Sequence, residues 1–208
     1  MNIIFDIGAN RGRTAEIFLN HAEKVISFEP NPSLVNHLKN FFSNPKLHID
    51  NRAISHARGT QEFKLANADT ISTLSTDWVE NSRFTGEYSW DNSIMVETLT
   101  LSDAIAEYGI PDYIKIDTEG YEYEILTNFH EFLPDTLFAF EWAEEQKEKI
   151  GKILEHINGL GYKNFAYTEG DPVLFDEQVS WSDFDNFKLI DTMDSSRKAL
   201  WGMIYFKK

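Results

Sequence analysis

Apolar positions along this chain switch repeatedly between two spacings. Short dense runs at Ile3 to Ile7, Lys24 to Glu29 and Lys46 to Asp50 predict β-strands. Between them, Ala15, Phe18, Leu19 and Ala22 recur at i, i+3, i+4 and i+7, one face of a helix. Leu34, Leu38, Phe41 and Phe42 mark a second helix, and Asn31 before Pro32 reads as its N-cap with proline at the first helical position. The alternation resumes later. Tyr113 to Asp117, Leu137 to Trp142, Tyr162 to Tyr167 and Leu200 to Phe206 predict strands. Ile125, Leu126, Phe129, Phe132 and Leu133 predict one helix; Ile150, Ile153, Leu154 and Ile157 predict another, which Gly159 and Gly161 end. Strands alternating with helices predict an α/β fold: a mostly parallel sheet with helices on both faces.

The middle is less regular. Gln61 to Leu65 and Met95 to Leu99 read as strands, and Thr100 with Asp103 as a capping box opening a short helix that stops at Gly109. Residues 66–93 are rich in Ser, Thr, Asn and Asp, with Trp78, Phe84, Tyr88 and Trp90 among them. We read them as an insertion in one domain spanning residues 1–208, expected to lie over the carboxyl edge of the sheet and to contact a substrate. Its aromatic residues suit either a lid or a small satellite core. Residues 171–194 carry seven acids and one lysine and read as a solvated loop.

Composition narrows the chemistry. The chain has 208 residues and no cysteine, which excludes thiolate nucleophiles, cysteine zinc sites and iron–sulfur clusters. Six scattered histidines form no HExxH pair. A net charge of -15 repels phosphate backbones, so nucleic acid is not expected as a partner. The sequence shows neither a membrane span nor a secretion signal, so the expectation is a cytoplasmic protein with no membrane partner. Oligomeric state is not legible.

In such sheets ligands sit beyond the carboxyl ends of the strands. There the first strand runs into Asp6-Ile7-Gly8-Ala9-Asn10-Arg11-Gly12, a glycine-rich turn that lets backbone approach a ligand closely. Glu29 ends the second strand, 23 residues after Asp6, near the ~20 expected of an acid that holds a ribose diol. Together they point to a nucleoside-bearing cofactor. The pattern is G-x-x-x-G, not the dinucleotide G-x-G-x-x-G, and an acid opens the loop, which suits a cofactor with an amino acid end better than a pyrophosphate. Asp117, Thr118, Glu119 and Gly120 end a later strand, and Glu141 ends the next. A nicotinamide oxidoreductase and a non-catalytic nucleoside-binding module are the rival readings. The first lacks its third glycine, and the strand-end carboxylates weigh against the second.

The stretches FDIGANRGRTAEIF, VISFEPNP, NRAIS, TLSDAI and YIKIDTEGYEYEIL, in that order over about residues 3–142, resemble the FkbM-type methyltransferases. The resemblance implies a Rossmann-like class I methyltransferase fold with a seven-stranded, mostly parallel sheet. It implies S-adenosyl-L-methionine as cofactor and O-methylation of a hydroxyl on a sugar or other small-molecule or glycan acceptor. Carried over by position, Asp6, Gly8, Ala9, Asn10 and Gly12 would line the methionine end. Glu29, Pro30 and Asn31 would hold the ribose side, and Asn51, Arg52 and Ala53 would flank adenine. Asp117, which would also touch the cofactor, Glu119 and Glu141 would be the catalytic acids. A general base needing no metal is the favoured chemistry; a divalent cation on the same carboxylates is the alternative. The chain departs from the family in starting at its first strand and in the long aromatic insertion.

Overall fold

The structure is a computed structural model and describes residues 1–194 and 200–208. The chain runs β1 (Ile3–Ile7), α1 (Arg13–Phe18), β2 (Lys24–Phe28), α2 (Pro32–Phe41), β3 (Leu47–Asp50), β4 (Ala53–Ile54), β5 (Gly59–Leu65), α3 (Thr76–Asn81) and β6 (Asn92–Leu99). It continues through α4 (Leu101–Tyr108), β7 (Tyr113–Ile116), α5 (Glu122–Thr127), β8 (Leu137–Ala143), α6 (Lys147–Leu160), β9 (Asn164–Glu169), β10 (Ser182–Asp183), α7 (Leu189–Thr192) and β11 (Trp201–Lys207). The helix starts follow the sequence chemistry. The Asn31 side chain accepts from Ser33 N–H with Pro32 at the helix start, and Thr100 and Asp103 form the reciprocal capping box of α4.

The main sheet has the order β10-β9-β11-β8-β7-β1-β2-β3. The strands from β3 to β8 are parallel; β11 runs antiparallel between β8 and β9. Alternate side chains divide the core into two layers. Phe5, Ile116, Phe138 and Phe140 face Ile125, Leu126, Ile153 and Leu154 of α5 and α6. Ile4, Tyr113, Ala139 and Tyr205 face Phe18 of α1 and Phe175.

The structure departs from the sequence reading in four places. The helix expected to run through Phe129, Phe132 and Leu133 ends at Thr127, and those three residues follow it as loop. The sheet has eight strands, not seven, because Ser182 and Asp183 add β10 against β9. The acidic segment 171–194 is not simply a solvated loop: Phe175, Leu189 and Met193 are buried in the core while its acids stay outside. And strands within residues 53–99 form a second sheet, β4-β6-β5, in which β5 and β6 pair antiparallel from Gly59–Thr98 to Leu65–Asn92. Residues 66–91 are thus the elaborated tip of a long hairpin, and Asn92 and Ser93 already belong to β6. No described helix is long and apolar enough to cross a membrane.

Candidate active site

The parallel register brings the carboxyl ends of β1, β2, β7 and β8 to one edge, where the chain encloses a cavity of about 620 Å³. That lies within the range of small-molecule sites. Gly8 and Ala9 donate their N–H groups to the Phe28 carbonyl at 3.0 and 3.1 Å, folding the β1 loop onto the end of β2. Gly8 has φ +78°, and a Cβ there would stand 1.8 Å from the Asp117 carbonyl oxygen, so the close approach of β1 and β7 requires glycine.

Glu29 fastens this loop. Its carboxylate accepts from Asn10 N–H at 2.8 Å and from Asn31 N–H at 2.9 Å, and the side chain is buried in the cavity wall. Burial pushes its pKa up to about 7 against the pull of those two donors. Each carboxylate oxygen keeps a free lone pair for a ligand hydroxyl.

At the end of β7, Lys115 lies buried between two acids, 2.9 Å from Asp117 and 3.8 Å from Asp6. Burial opposes its charge, but the two carboxylates outweigh that and raise its pKa. Asp6 is itself pushed up to about 6, by burial against the pull of Lys115. The turn after Asp117 is clasped by Glu122, which accepts from Thr118 N–H at 2.6 Å and Gly120 N–H at 3.0 Å. In this turn Glu119 takes φ +55°, and the Thr73 hydroxyl donates to its carbonyl at 2.8 Å.

Asp117, Glu119 and Glu141 converge: one oxygen of each lies within 4.8 Å of the others, close enough to hold a hard cation. Lys115 pairs with Asp117, and Arg83 stands 3.8 Å from Glu141 and 3.4 Å from Glu145. Burial first, then the neighbouring carboxylates, raise Glu119 and Glu141 well above the usual carboxylate range.

The hairpin tip lies over this edge. Asp69 binds Arg11 at 2.5 Å, and its carbonyl accepts from the Asn10 side chain at 3.0 Å. Phe84 and Tyr88 line the cavity, whereas Trp78 is buried against Gly120, where a Cβ would meet its ring at 2.8 Å.

Of the residues singled out from sequence, Gly8, Ala9, Asn10, Glu29, Pro30, Ala53, Asp117, Glu119 and Glu141 line the cavity. Asp6, Gly12, Asn31, Asn51 and Arg52 stand outside its wall. Gly12 faces Phe42 and Leu38, and Asn31 caps α2. Arg52 binds Asp50 at 2.6 Å and Glu107 at 2.9 Å, with Tyr108 donating to Asp50, which ties β3 to α4. The sequence reading missed Lys115, Tyr121 and Trp201 in the wall, where Arg83 also stands. Period-two alternation in YIKID places Lys115 and Asp117 on one face, a signal that was there to be read.

A family model described as the methyltransferase FkbM domain matches residues 6–163. Among solved structures, the chain resembles the methyltransferase FkbM from Methylobacillus flagellatus, with TM-score 0.56 and 13% identity over 99% of this chain and 43% of that one. It thus spans less than half the length of that protein. It also resembles precorrin-6y C5,15-methyltransferase from Geobacter metallireducens, with TM-score 0.50 and 10% identity over 100% of this chain and 81% of that one. No curated protein matches the sequence.

Proposed function

Given that this chain belongs to the methyltransferase FkbM domain family and is an S-adenosylmethionine-dependent methyltransferase, we propose that it methylates a hydroxyl group on a sugar or other small-molecule or glycan acceptor. The observation that carries this reading is a single cavity with a ribose-type carboxylate, Glu29, in one part of its wall and three convergent acids in another.

The residues fit the cofactor. Gly8, Ala9 and Asn10 form a backbone cradle for the amino acid end, Glu29 offers lone pairs to the two ribose hydroxyls, and Pro30 and Ala53 flank the adenine. Asp6, Gly12 and Asn31 brace these groups from behind the wall, Asp6 beside Lys115, Gly12 N–H on the Ala9 carbonyl and Asn31 N–H on Glu29. S-adenosylmethionine held there would supply a methyl group already activated by its sulfonium. The chain's own work is to align the acceptor, exclude water and take its proton. Phe84, Tyr88 and Trp201 wall off the acceptor side. Asp117 or Glu119 accepts the hydroxyl proton, and Glu141 supports the same cluster. A protein-only base is favoured over a divalent cation because Lys115 and Arg83 already supply cations to two of the three acids. The net charge of -15 supports a small acceptor in preference to a nucleic acid.

Calorimetry tests the donor side: S-adenosylmethionine and S-adenosylhomocysteine bind, and NAD does not. Tight NAD binding with no response to S-adenosylhomocysteine would overturn the reading. Transfer of labelled methyl from the donor to a panel of hydroxyl and amine acceptors tests the acceptor class.

A further inference from the structure

One end of the cavity wall is apolar. Ala53, Phe63 and Leu74 pack into one cluster there and line the cavity with Ile54, which follows Ala53 in β4. Tyr121 joins this end through its hydroxyl. The hydroxyl donates to Gln61 Oε1 at 3.1 Å and stands 2.8 Å from His56 Nδ1 and 3.4 Å from Ser55 Oγ. Gln61 in turn donates from Nε2 to Ser55 Oγ at 2.7 Å, which closes the group. Gln61 belongs to β5, and Ser55 and His56 directly follow β4. Of these four residues Tyr121 alone lines the cavity.

One partner satisfies the hydroxyl of a buried tyrosine; this one has three. The backbone before it is held as firmly. Gly120 takes φ +88° against the Trp78 ring, its N–H donates to Glu122 at 3.0 Å, and its carbonyl accepts from Gln146 Nε2 at 3.3 Å. The ring is therefore set in place before a ligand arrives and loses little freedom when one packs on it. Of the three parts of S-adenosylmethionine, the amino acid end is charged and the ribose carries hydroxyls; the flat purine is the part that suits an apolar end with a fixed aromatic ring. We propose that Tyr121 is a specificity-determining wall for the purine base of the donor, and that Gln61, acting through the Tyr121 hydroxyl, is the residue that positions it. This rests on reading the cavity as the donor site. It makes the second sheet, which lies outside the parallel core, a part of that site.

The test is calorimetric and needs no acceptor. The full chain is titrated with S-adenosylhomocysteine and with 5′-methylthioadenosine, which keeps the nucleoside and lacks the amino acid end. Tyr121→Leu is expected to weaken both ligands by the same factor, about tenfold. Tyr121→Phe keeps the ring and removes the hydroxyl, and Gln61→Met removes its main partner outside the cavity wall. Each is expected to weaken both ligands severalfold, and the double variant no more than either single one, because both changes break the same link. Should Tyr121→Leu not fold, this cycle decides alone. Affinities within twofold of wild type in Tyr121→Leu, or a loss confined to S-adenosylhomocysteine, overturn the contact with the base. Single variants that bind like wild type, or losses that multiply in the double variant, overturn the positioning role of Gln61. Failure of wild type to bind either ligand would instead overturn the donor-site reading.

Discussion

Replacing Glu29 by glutamine separates what this side chain does for the ligand from what it costs the fold. Its pKa rises from an ordinary 4.5 to about 7 in the native protein because burial penalises the charge. Native protein therefore binds more protons at this position than unfolded chain between those two values, and stability falls as pH rises through that window. The gap corresponds to about 3 kcal/mol once the carboxylate is fully ionised. Glutamine carries no such penalty. It has one acceptor oxygen, however, for two backbone donors, Asn10 N–H and Asn31 N–H, and leaving one of them unpaired costs about 1–3 kcal/mol at any pH. Denaturant melts of ligand-free Glu29→Gln should thus show a variant clearly weaker than wild type at pH 5 and nearly level with it at pH 8. The difference between them should close by about 2–3 kcal/mol. At pH 8, where wild-type Glu29 is ionised, S-adenosylhomocysteine affinity of the variant should drop, because the diol loses a charged acceptor, and the loss should shrink toward pH 5. Stability curves that stay parallel from pH 5 to pH 8 would show that Glu29 is not a buried carboxyl with a raised pKa, and would refute the reasoning.

Four further outcomes follow from the same geometry. Gly8→Ala should lose cofactor binding and lower the melting temperature, since its Cβ would sit 1.8 Å from the Asp117 carbonyl in a backbone conformation unfavourable to alanine. Asp117→Asn should abolish methyl transfer to the true acceptor while leaving S-adenosylhomocysteine binding nearly intact. EDTA should leave wild-type turnover unchanged, and inhibition relieved by magnesium would move the chemistry to a bound cation. Phe175→Ala should cost about 3–5 kcal/mol in chemical denaturation, since the ring packs against Phe18 and Tyr113 under the sheet; a cost under about 1 kcal/mol would return segment 171–194 to the status of a solvated loop.

The parallel half of the fold was legible because its signals are local. Strand runs, the Asn31 cap and the Thr100–Asp103 box each lie within a few residues. The Asp6–Gly12 loop and Glu29 could be read for the same reason, each being tied to a strand end. What escaped needed long-range pairing. Nothing within Gly59–Leu65 announces that its partner is Asn92–Leu99, across a tip more than twenty residues long. Phe175, Leu189 and Met193 anchor their segment one at a time, without a period to reveal them. Arg83 looks like any surface arginine until the hairpin folds back and sets it beside Glu141 and the rings of Trp78, Phe84 and Trp201.

The position of β11 carries a consequence for synthesis. It comes last among the strands in chain order, yet it lies between β8 and β9, pairing with both. While the ribosome is still adding residues before Trp201, β8 has an open edge and β9 has no route into the sheet. The nascent chain therefore carries its Rossmann half and its β9–β10 segment as separate pieces. Residues 201–207 join them, burying Ile204 and Phe206 on one side and Met203 and Tyr205 on the other.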